Sequence, residues 1–231
     1  MCNEYARRIS PEQLRAGWGA TDGKLLFPEG QSNLPELDSI RITDTSLILR
    51  ASPTESGAAE AVTRRWSWPG AHGKPVYNFR SDGREFDNKP TSGRCLIPAD
   101  GFYEYTDDNP LPLAGGARGG ESHAAAVDLF GEIPSPDPSR KREGRKKAKF
   151  EFSFPRLDWF CIAGLWRTDP VVGEAFTMLT CAPGPDIAPY HDRQIVLLTP
   201  PDYRRWLRGE APAADLCRPL AAGTLAVRRV R

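Results

Sequence analysis

Apolar residues along this chain fall into short runs, most of them of strand length. Near-continuous apolar runs at 159–166 and 175–182 predict two buried strands. Shorter runs at 46–50 and 194–198 predict two more. Such strands, separated by segments rich in glycine and proline, are typical of a protein built mainly from β-sheet.

Two stretches carry helix signals instead. Ser10, Pro11 and an early acid predict a helix N-terminus. Residues 199–209 predict a second helix that ends at a glycine, with an i, i+3, i+4 stripe facing the core. The residues of that stripe are Tyr203, Trp206 and Leu207. Between the first helix and the first strand, residues 22–38 are rich in Gly, Pro, Asn and Ser and predict a loop.

The central part of the chain carries polar side chains at strand spacing. Residues 76–81 alternate, so Asn78 and Arg80 face the same side. Residues 94–105 predict a strand, a turn at Asp100-Gly101 and a second strand, in which aromatic residues flank Glu104. A desolvated carboxyl has a raised pKa, which suits acid–base catalysis near neutral pH; on an exposed strand it is an ordinary solvated glutamate.

Two further stretches allow more than one interpretation. Trp66-Ser67-Trp68 predicts an extended strand with both indoles on one face, packed in the core or, alternatively, stacking on bases. Residues 107–150 combine Gly-Gly pairs, alternating prolines and a basic run, which predict a flexible insertion. Its charge can contact phosphates, although a solvated loop is the more economical interpretation.

Composition narrows the function classes. The 231 residues suit one domain, and 31 basic against 30 acidic residues give a net charge of +1, so nucleic-acid binding requires a local patch. The five cysteines are widely spaced without a C-x-x-C pair, and only three histidines accompany them. We therefore expect a reducing compartment, no metal and no cofactor. No apolar run approaches the roughly 20 residues of a membrane span, so we expect a cytoplasmic protein without a membrane partner.

Cys2 is the first candidate for covalent chemistry. Removal of Met1 would expose an α-amine of pKa roughly 7.7–8.0 beside a thiol of roughly 8.5. Such a 1,2-aminothiol can attack an acyl group, or it can condense with an aldehyde to an imine and then a thiazolidine ring. A cysteine can also occur at position 2 by chance. A catalytic role for Cys2 therefore depends on which other residues of the chain accompany it in a site.

His191 is a second candidate, because Asp192 and Arg193 follow it directly ahead of a predicted strand. Charged neighbours tune the proton affinity of an imidazole across the neutral range. The alternative is a histidine that only satisfies a local hydrogen bond. His123 lies in the predicted insertion and carries no such setting.

Together these residues belong to five ordered motifs, Met1-Cys2-Asn3, 78–80, 94–105, 163–166 and 191–193. The set resembles the SOS response-associated peptidase (SRAP) family, whose members shield abasic sites in single-stranded DNA. The resemblance covers most of the chain outside 107–150. It implies a single α+β domain with a curved, barrel-like, mostly antiparallel sheet, peripheral helices and a positively charged cleft beside Cys2.

The resemblance also implies site roles and a partner. Cys2 is the implied nucleophile that crosslinks to the aldehyde of a ring-opened abasic sugar, Asn78 holds the amino terminus, and Glu104 shuttles protons. His191 assists ring opening and imine formation. The expected DNA contacts are Arg80, Arg193 and Trp68. The expected partner is single-stranded DNA containing abasic sites, bound by a monomer that is cytoplasmic and associates with the nucleoid when on DNA.

Three features depart from the family pattern: Glu4 stands where some relatives carry a basic residue, Ser67 stands where glycine is usual, and the 107–150 insertion is long. The peptidase activity in the family name implies removal of Met1, by the protein itself or by an aminopeptidase.

Two other classes of protein function stay open. An N-terminal-nucleophile amidohydrolase also begins with Met-Cys but uses its own amine as the base. A non-catalytic single-strand binder uses aromatic residues and arginine without a covalent step.

Overall fold

The computed structural model describes residues 2–21, 23–30, 35–106 and 147–231. Their helices are α1 (Pro11–Gly19), α2 (Pro200–Arg208) and α3 (Ala213–Leu216), with a 3-10 turn at Ala71–Gly73. Their strands are β1 (Glu4–Arg7), β2 (Leu25–Leu26), β3 (Leu37–Arg41), β4 (Thr45–Ala51), β5 (Ala59–Trp66), β6 (Trp68–Pro69), β7 (Pro75–Val76), β8 (Asn78–Arg80), β9 (Ser92–Ala99), β10 (Gly101–Thr106), β11 (Ala148–Ser153), β12 (Phe160–Asp169), β13 (Gly173–Cys181), β14 (Gln194–Ile195), β15 (Leu197–Leu198) and β16 (Ala226–Arg229).

Five of these strands close into a barrel. β13, β12, β9, β4 and β5 are hydrogen-bonded in that order, and each of these pairs is antiparallel. A short parallel pairing between β5 and β13 closes the ring, with Trp66 opposite Phe176. The predicted α+β fold with a barrel-like, mostly antiparallel sheet is therefore confirmed. Closure leaves these five strands without an unpaired edge along the ring.

A second, antiparallel sheet carries the amino-terminal strand. Its order is β16-β11-β10-β1-β3, and Glu4 of β1 lies opposite Tyr103 of β10. The consecutive strands β9 and β10 belong to different sheets, so the turn predicted at Asp100-Gly101 is not a hairpin. It is a bend at Asp100 where the chain passes from the barrel to the second sheet, and Gly101 already belongs to β10.

The helices pack on the outside of the barrel. Trp18 of α1 stacks on Tyr203 of α2 with ring centroids 6.3 Å apart, and Trp206 donates its indole hydrogen to the carbonyl oxygen of Cys95 at 2.8 Å. All three aromatic residues are buried. The predicted core stripe of the second helix is confirmed. No helix in the described ranges has the length and hydropathy needed to cross a membrane.

Both helix boundaries follow local sequence signals. Ser10 accepts the backbone N–H of Gln13 at 3.2 Å, and the Gln13 side chain accepts the backbone N–H of Ser10 at 2.9 Å. This reciprocal capping box satisfies two amide groups that the first turn would otherwise leave unpaired. α2 ends at Gly209, whose φ of +67° is the left-handed conformation that glycine adopts without a steric penalty.

The predicted Trp66-Ser67-Trp68 strand is wrong. β5 ends at Trp66, and Trp68 begins a separate strand that pairs with β7. Ser67 between them has a φ of +89°, and its backbone N–H donates to the carbonyl oxygen of Phe176 at 2.7 Å. A positive φ breaks the alternation of an extended strand, so the two indoles do not share one face.

Other element boundaries also differ from the predictions. The loop predicted at 22–38 contains β2 and the start of β3, and the strands predicted at 76–81 and 194–198 are each split in two. The predicted insertion is too long at its carboxyl end, because β11 begins at Ala148. The rest of that insertion, 107–146, lies outside the described residues, as does His123. The sequence patterns predicted neither α3 nor β16.

Candidate active site

Cys2 lies immediately before β1 and is buried, with 1% of its surface exposed. Its thiol donates to the carbonyl oxygen of Glu4, with sulfur and oxygen 3.3 Å apart. Burial, reinforced by the nearby negative charge of Glu104, raises the pKa of this thiol well above its usual value, although hydrogen bonds from the backbone of Glu4 and Tyr103 oppose the rise. The thiol is therefore protonated near neutral pH in this state.

Asn78 holds the backbone of Cys2. The parallel pairing of β8 with β13 places Asn78 opposite Met178, and its side-chain nitrogen donates to the carbonyl oxygen of Cys2 at 2.8 Å. The other end of the same amide, Oδ1, is buried without a hydrogen-bond partner among the described residues. A buried unpaired acceptor costs about 1–3 kcal/mol, so this oxygen is available to a donor that arrives later.

Glu104 contacts the nitrogen of Cys2. It lies on β10, is only 2% exposed, and its carboxylate accepts a hydrogen bond from the backbone N–H of Cys2. Burial raises the pKa of Glu104 to about 7, and the negative charge of Asp192 acts in the same direction. Near neutral pH the side chain is therefore divided between its protonated and ionised forms, which is the condition for moving a proton in either direction.

His191 faces Glu104 from the loop between β13 and β14. Its Nδ1 accepts the backbone N–H of Arg193 at 3.0 Å and lies 2.7 Å from a carboxylate oxygen of Asp192. These two contacts favour different forms of the ring, because the first needs an unprotonated Nδ1 and the second a protonated one. Burial lowers the pKa of His191, and the mostly exposed Asp192 only partly opposes this. We therefore assign the neutral ring, with Nε2 carrying the proton.

Glu104 and His191 line one cavity of about 410 Å³. The remaining lining residues are Asn3, Tyr105, Thr106, Lys147, Tyr190 and Asp192. The sequence patterns did not single out Asn3, Tyr105 or Lys147 as site residues. Tyr105 could have been predicted, because it is adjacent to Glu104 in the 94–105 motif. Lys147 could not, because it lay inside the predicted insertion. Cys2 is buried beside this cavity and connects to it through Glu104.

The three expected DNA contacts have different environments. Arg80 is exposed at the end of β8. Arg193 donates two hydrogen bonds to Asp82, at 2.6 and 3.2 Å, and a third to the carbonyl oxygen of Thr180 at 2.8 Å. Trp68 is 6% exposed, and the guanidinium of Arg167 lies 4.4 Å from its ring centroid. Only Arg80 thus presents an exposed charge.

The structure brings Cys2, Asn78 and Glu104 into direct contact and places His191 across a shared cavity from Glu104. Arg80, Arg193 and Trp68 do not line that cavity. Within the described ranges, no group of three or more His, Cys, Asp or Glu side chains is arranged to hold a metal ion. The arrangement supplies a nucleophile precursor, a titrating carboxyl beside it and a neutral imidazole.

Solved structures share this fold. A protein from Bacteroides thetaiotaomicron is 16% identical and superposes with a TM-score of 0.65, over 100% of this chain and 92% of that one. A protein from Bordetella bronchiseptica is 21% identical, with a TM-score of 0.63 and full coverage of both chains. A phage-related protein from the same organism is 17% identical, with a TM-score of 0.61 and coverage of 100% and 94%. At these identities the likeness concerns the fold alone.

A sequence comparison finds one family model that matches part of the chain. The family model described as SOS response associated peptidase (SRAP) matches residues 138–231. This match covers the carboxyl-terminal 94 residues, and over this range it confirms the resemblance predicted from the motifs. No curated protein sequence matches the chain. His191 and Arg193 lie inside the matched range, whereas Cys2, Asn78 and Glu104 precede it.

Proposed function

We propose that the chain, after removal of Met1, forms a covalent thiazolidine crosslink between Cys2 and the aldehyde of an abasic site in single-stranded DNA. The SRAP match supports a role associated with the SOS response in general. The observation that carries the finer proposal is the contact between Glu104 and the backbone nitrogen of Cys2. That nitrogen becomes the α-amine once the Met1–Cys2 peptide bond is broken.

The first step needs an unprotonated amine and an open sugar. The α-amine has an ordinary pKa of roughly 7.7–8.0, so Glu104 in its ionised form can take a proton from the ammonium. The amine then attacks the C1′ aldehyde carbon and forms a carbinolamine. Transfer of a proton from Glu104 to the carbinolamine hydroxyl releases one water and leaves an iminium ion, which returns its N–H proton to the ionised Glu104 and becomes an imine.

The second step closes the ring. The Cys2 sulfur adds to the imine carbon, its proton passes to the imine nitrogen, and a five-membered thiazolidine forms with no further leaving group. His191 lines the same cavity and carries its hydrogen on Nε2, so Nε2–H is suited to donate a hydrogen bond to the ring oxygen of the deoxyribose during opening, while protonated Glu104 supplies the proton itself. The Asn78 amide holds the Cys2 carbonyl, and its free Oδ1 can accept a hydrogen from the new amine.

The protonated thiol supports this order of events over the amidohydrolase alternative. An amidohydrolase begins with attack by the sulfur, which needs a thiolate or a base aimed at it. Burial raises the pKa of the Cys2 thiol, and the adjacent carboxyl raises it further. In aldehyde condensation the amine attacks first, and the thiol is required only after the imine exists.

The test is a denaturing gel of the purified protein incubated with single-stranded DNA that carries one abasic site. Wild type is expected to give a band that survives denaturation, and Cys2→Ala is expected to give none. Cys217→Ala is the matched control, because Cys217 is another thiol of the chain and lies outside the site cavity. A crosslink that persists in Cys2→Ala would overturn the proposal.

The proton roles are tested by rates in the same assay. Glu104→Gln and His191→Ala are each expected to slow crosslinking by about 10²–10⁴-fold while leaving noncovalent binding to intact strands nearly unchanged. The exposed residues Glu85 and His72 supply the controls Glu85→Gln and His72→Ala, which should crosslink at the wild-type rate. Glutamine hydrolysis by the mature protein, without any crosslink, would instead favour the amidohydrolase.

A further inference from the structure

Three groups of Cys2 are each held by a different partner. Glu104 contacts its backbone nitrogen, and Asn78 donates to its carbonyl oxygen at 2.8 Å. The carbonyl oxygen of Glu4 accepts its thiol hydrogen, with sulfur and oxygen 3.3 Å apart. The first two contacts already have a part in the proposed chemistry. The third fixes the direction of the sulfur, so whatever holds the backbone of Glu4 also holds the sulfur.

The side chain of Glu4 is held by donors from three other strands. Its carboxylate accepts hydrogen bonds from Ser39 of β3 at 2.6 Å, from Tyr105 of β10, and from Lys149 of β11 at 2.9 Å. Glu4 itself begins β1, which lies between β3 and β10 in the sheet. The carboxylate therefore ties β1 to both of its neighbours and to the strand beyond β10.

Burial strengthens this anchor. Glu4 is only 2% exposed. Burial raises the pKa of its carboxyl, but the hydrogen bonds from Ser39, Tyr105 and Lys149 outweigh burial and hold the pKa below its usual value. Glu4 is therefore ionised near neutral pH. Hydrogen bonds to an ionised acceptor are roughly twice as strong as those between neutral groups, so three of them hold the side chain firmly in one position.

Lys149 is the main cation of this anchor. Its side chain is 18% exposed, and its ammonium lies 3.7 Å from the ring centroid of Tyr103, the residue opposite Glu4 on β10. Arg41 is 69% exposed, and its guanidinium is 3.7 Å from the Glu4 carboxylate, so it contributes little. Removing either member of the Glu4–Lys149 pair would leave a buried charge without its partner.

The position of the sulfur matters at one step of the proposed reaction. The Cys2 amine forms the imine without help from the thiol. The sulfur then adds to the imine carbon while the thiol proton passes to the imine nitrogen, so the ring closes only if the sulfur lies within bonding reach of that carbon. A displacement of about 1 Å can slow such a step by about 10²-fold.

We propose that the buried carboxylate of Glu4 is a positioning residue for ring closure: it holds the Glu4 backbone, whose carbonyl keeps the Cys2 sulfur in place for attack on the imine carbon. This inference rests on the proposed function. It leaves imine formation to the amine and Glu104. It gives Glu4, a departure from the family pattern in the sequence, a role in the step that follows.

The test uses borohydride to separate the imine from the thiazolidine. Borohydride delivers hydride to the imine carbon, and water supplies a proton to the nitrogen. The reduced imine is thus a stable secondary amine with two more hydrogen atoms than the thiazolidine, which has no C=N bond to reduce. Intact mass therefore distinguishes the two products when borohydride is added at successive times to the protein and abasic single-stranded DNA.

Wild type should give mainly the thiazolidine mass. Glu4→Gln keeps the size of the side chain but removes its charge. This variant should form the imine at the wild-type rate and close the ring about 10²-fold more slowly, so that the reduced imine is the main product at early times.

Further variants show whether the effect comes from the anchor. Lys149→Gln should also close the ring slowly, and Glu4→Gln combined with Lys149→Gln should be no slower than either alone, because both changes break the same ion pair. Glu60→Gln is the matched control. Glu60 is also buried and paired, with Arg50 at 2.6 Å, but it does not line the site cavity, so this variant should close the ring at the wild-type rate.

Ring closure at the wild-type rate in Glu4→Gln would overturn this inference and leave the crosslinking proposal intact. Loss of both the imine and the thiazolidine in Glu4→Gln would also overturn it, because Glu4 would then support the fold or the amine and not the sulfur. Wild type that gives neither product would overturn the proposed function as well.

Discussion

The buried Glu104 should make the stability of this protein depend on pH in a direction opposite to that of most carboxylates. Its pKa is about 7 in the folded state, against an ordinary value of 4.5. Below about pH 4 both the folded and unfolded chains hold the proton. As pH rises above 4.5 the unfolded chain releases its proton while folded Glu104 keeps it, so the free energy of unfolding falls until pH reaches about 7.

The size of this effect follows from the two pKa values. Each pH unit between 4.5 and about 7 contributes about 1.4 kcal/mol, so ionised Glu104 lowers the free energy of unfolding by about 3 kcal/mol at pH 8. Glu104→Gln removes this titration and keeps the shape of the side chain. The stability of Glu104→Gln minus that of wild type should therefore rise by about 3 kcal/mol between pH 4 and pH 8.

Urea unfolding at several pH values measures this difference, and any constant packing effect of the substitution cancels in it. A flat difference for Glu104→Gln would show that Glu104 titrates like a solvated glutamate. The acid–base role that we assign to it near pH 7 would then have no basis.

Three other outcomes follow from the structure. Ser67→Gly should raise the free energy of unfolding by about 1 kcal/mol, because glycine tolerates the φ of +89°; a loss measured by thermal unfolding would contradict this. Gly164→Ala should lower the free energy of unfolding by about 1–3 kcal/mol, because the added Cβ would lie 2.7 Å from the backbone oxygen of Thr177. Gly19→Ala is its control: the added Cβ meets nothing within 4 Å, so thermal unfolding should show no loss of stability. Arg80→Gln should flatten the salt slope of single-strand binding by roughly 0.7, and an unchanged slope would exclude Arg80 from the phosphate contacts.

Elements with strong local signals were predictable from the sequence. The capping box at Ser10 and the stripe of α2 depend on residues within one or two helical turns, so they are visible in the chain itself. The apolar runs of β12 and β13 are long because both faces of these strands are covered. The barrel closure by β5 and β13 was not visible, because it joins residues far apart in sequence.

The wrong predictions also result from contacts between residues that are far apart in sequence. Ser67 adopts a positive φ because its backbone hydrogen bonds to Phe176 across the closure, and no local signal near Ser67 indicates that contact. β16 is exposed along its whole length and carries two arginines, so it lacks the apolar alternation of a strand. Pairing with β11 alone defines it.

The candidate site was also only partly predictable from the sequence. The motifs and the family resemblance suggested Cys2, Asn78, Glu104 and His191, and the fold brings the first three into contact. The site cavity required the structure, because its lining residues come from distant parts of the chain and one of them, Lys147, lay in a predicted insertion. The resemblance implied that Arg193 contacts DNA, and its ion pair with Asp82 became visible only in the fold, because the two residues are far apart in sequence.

The most direct test of the central claim is the intact mass of the covalent product with abasic single-stranded DNA. A thiazolidine at Cys2 predicts the mass of the chain without Met1, plus the DNA strand, minus one water. Peptide mapping should place the DNA remnant on the fragment that begins at Cys2. A product that retains Met1, or a remnant attached to any other residue, would contradict the account, because the α-amine of Cys2 would then not be the nucleophile.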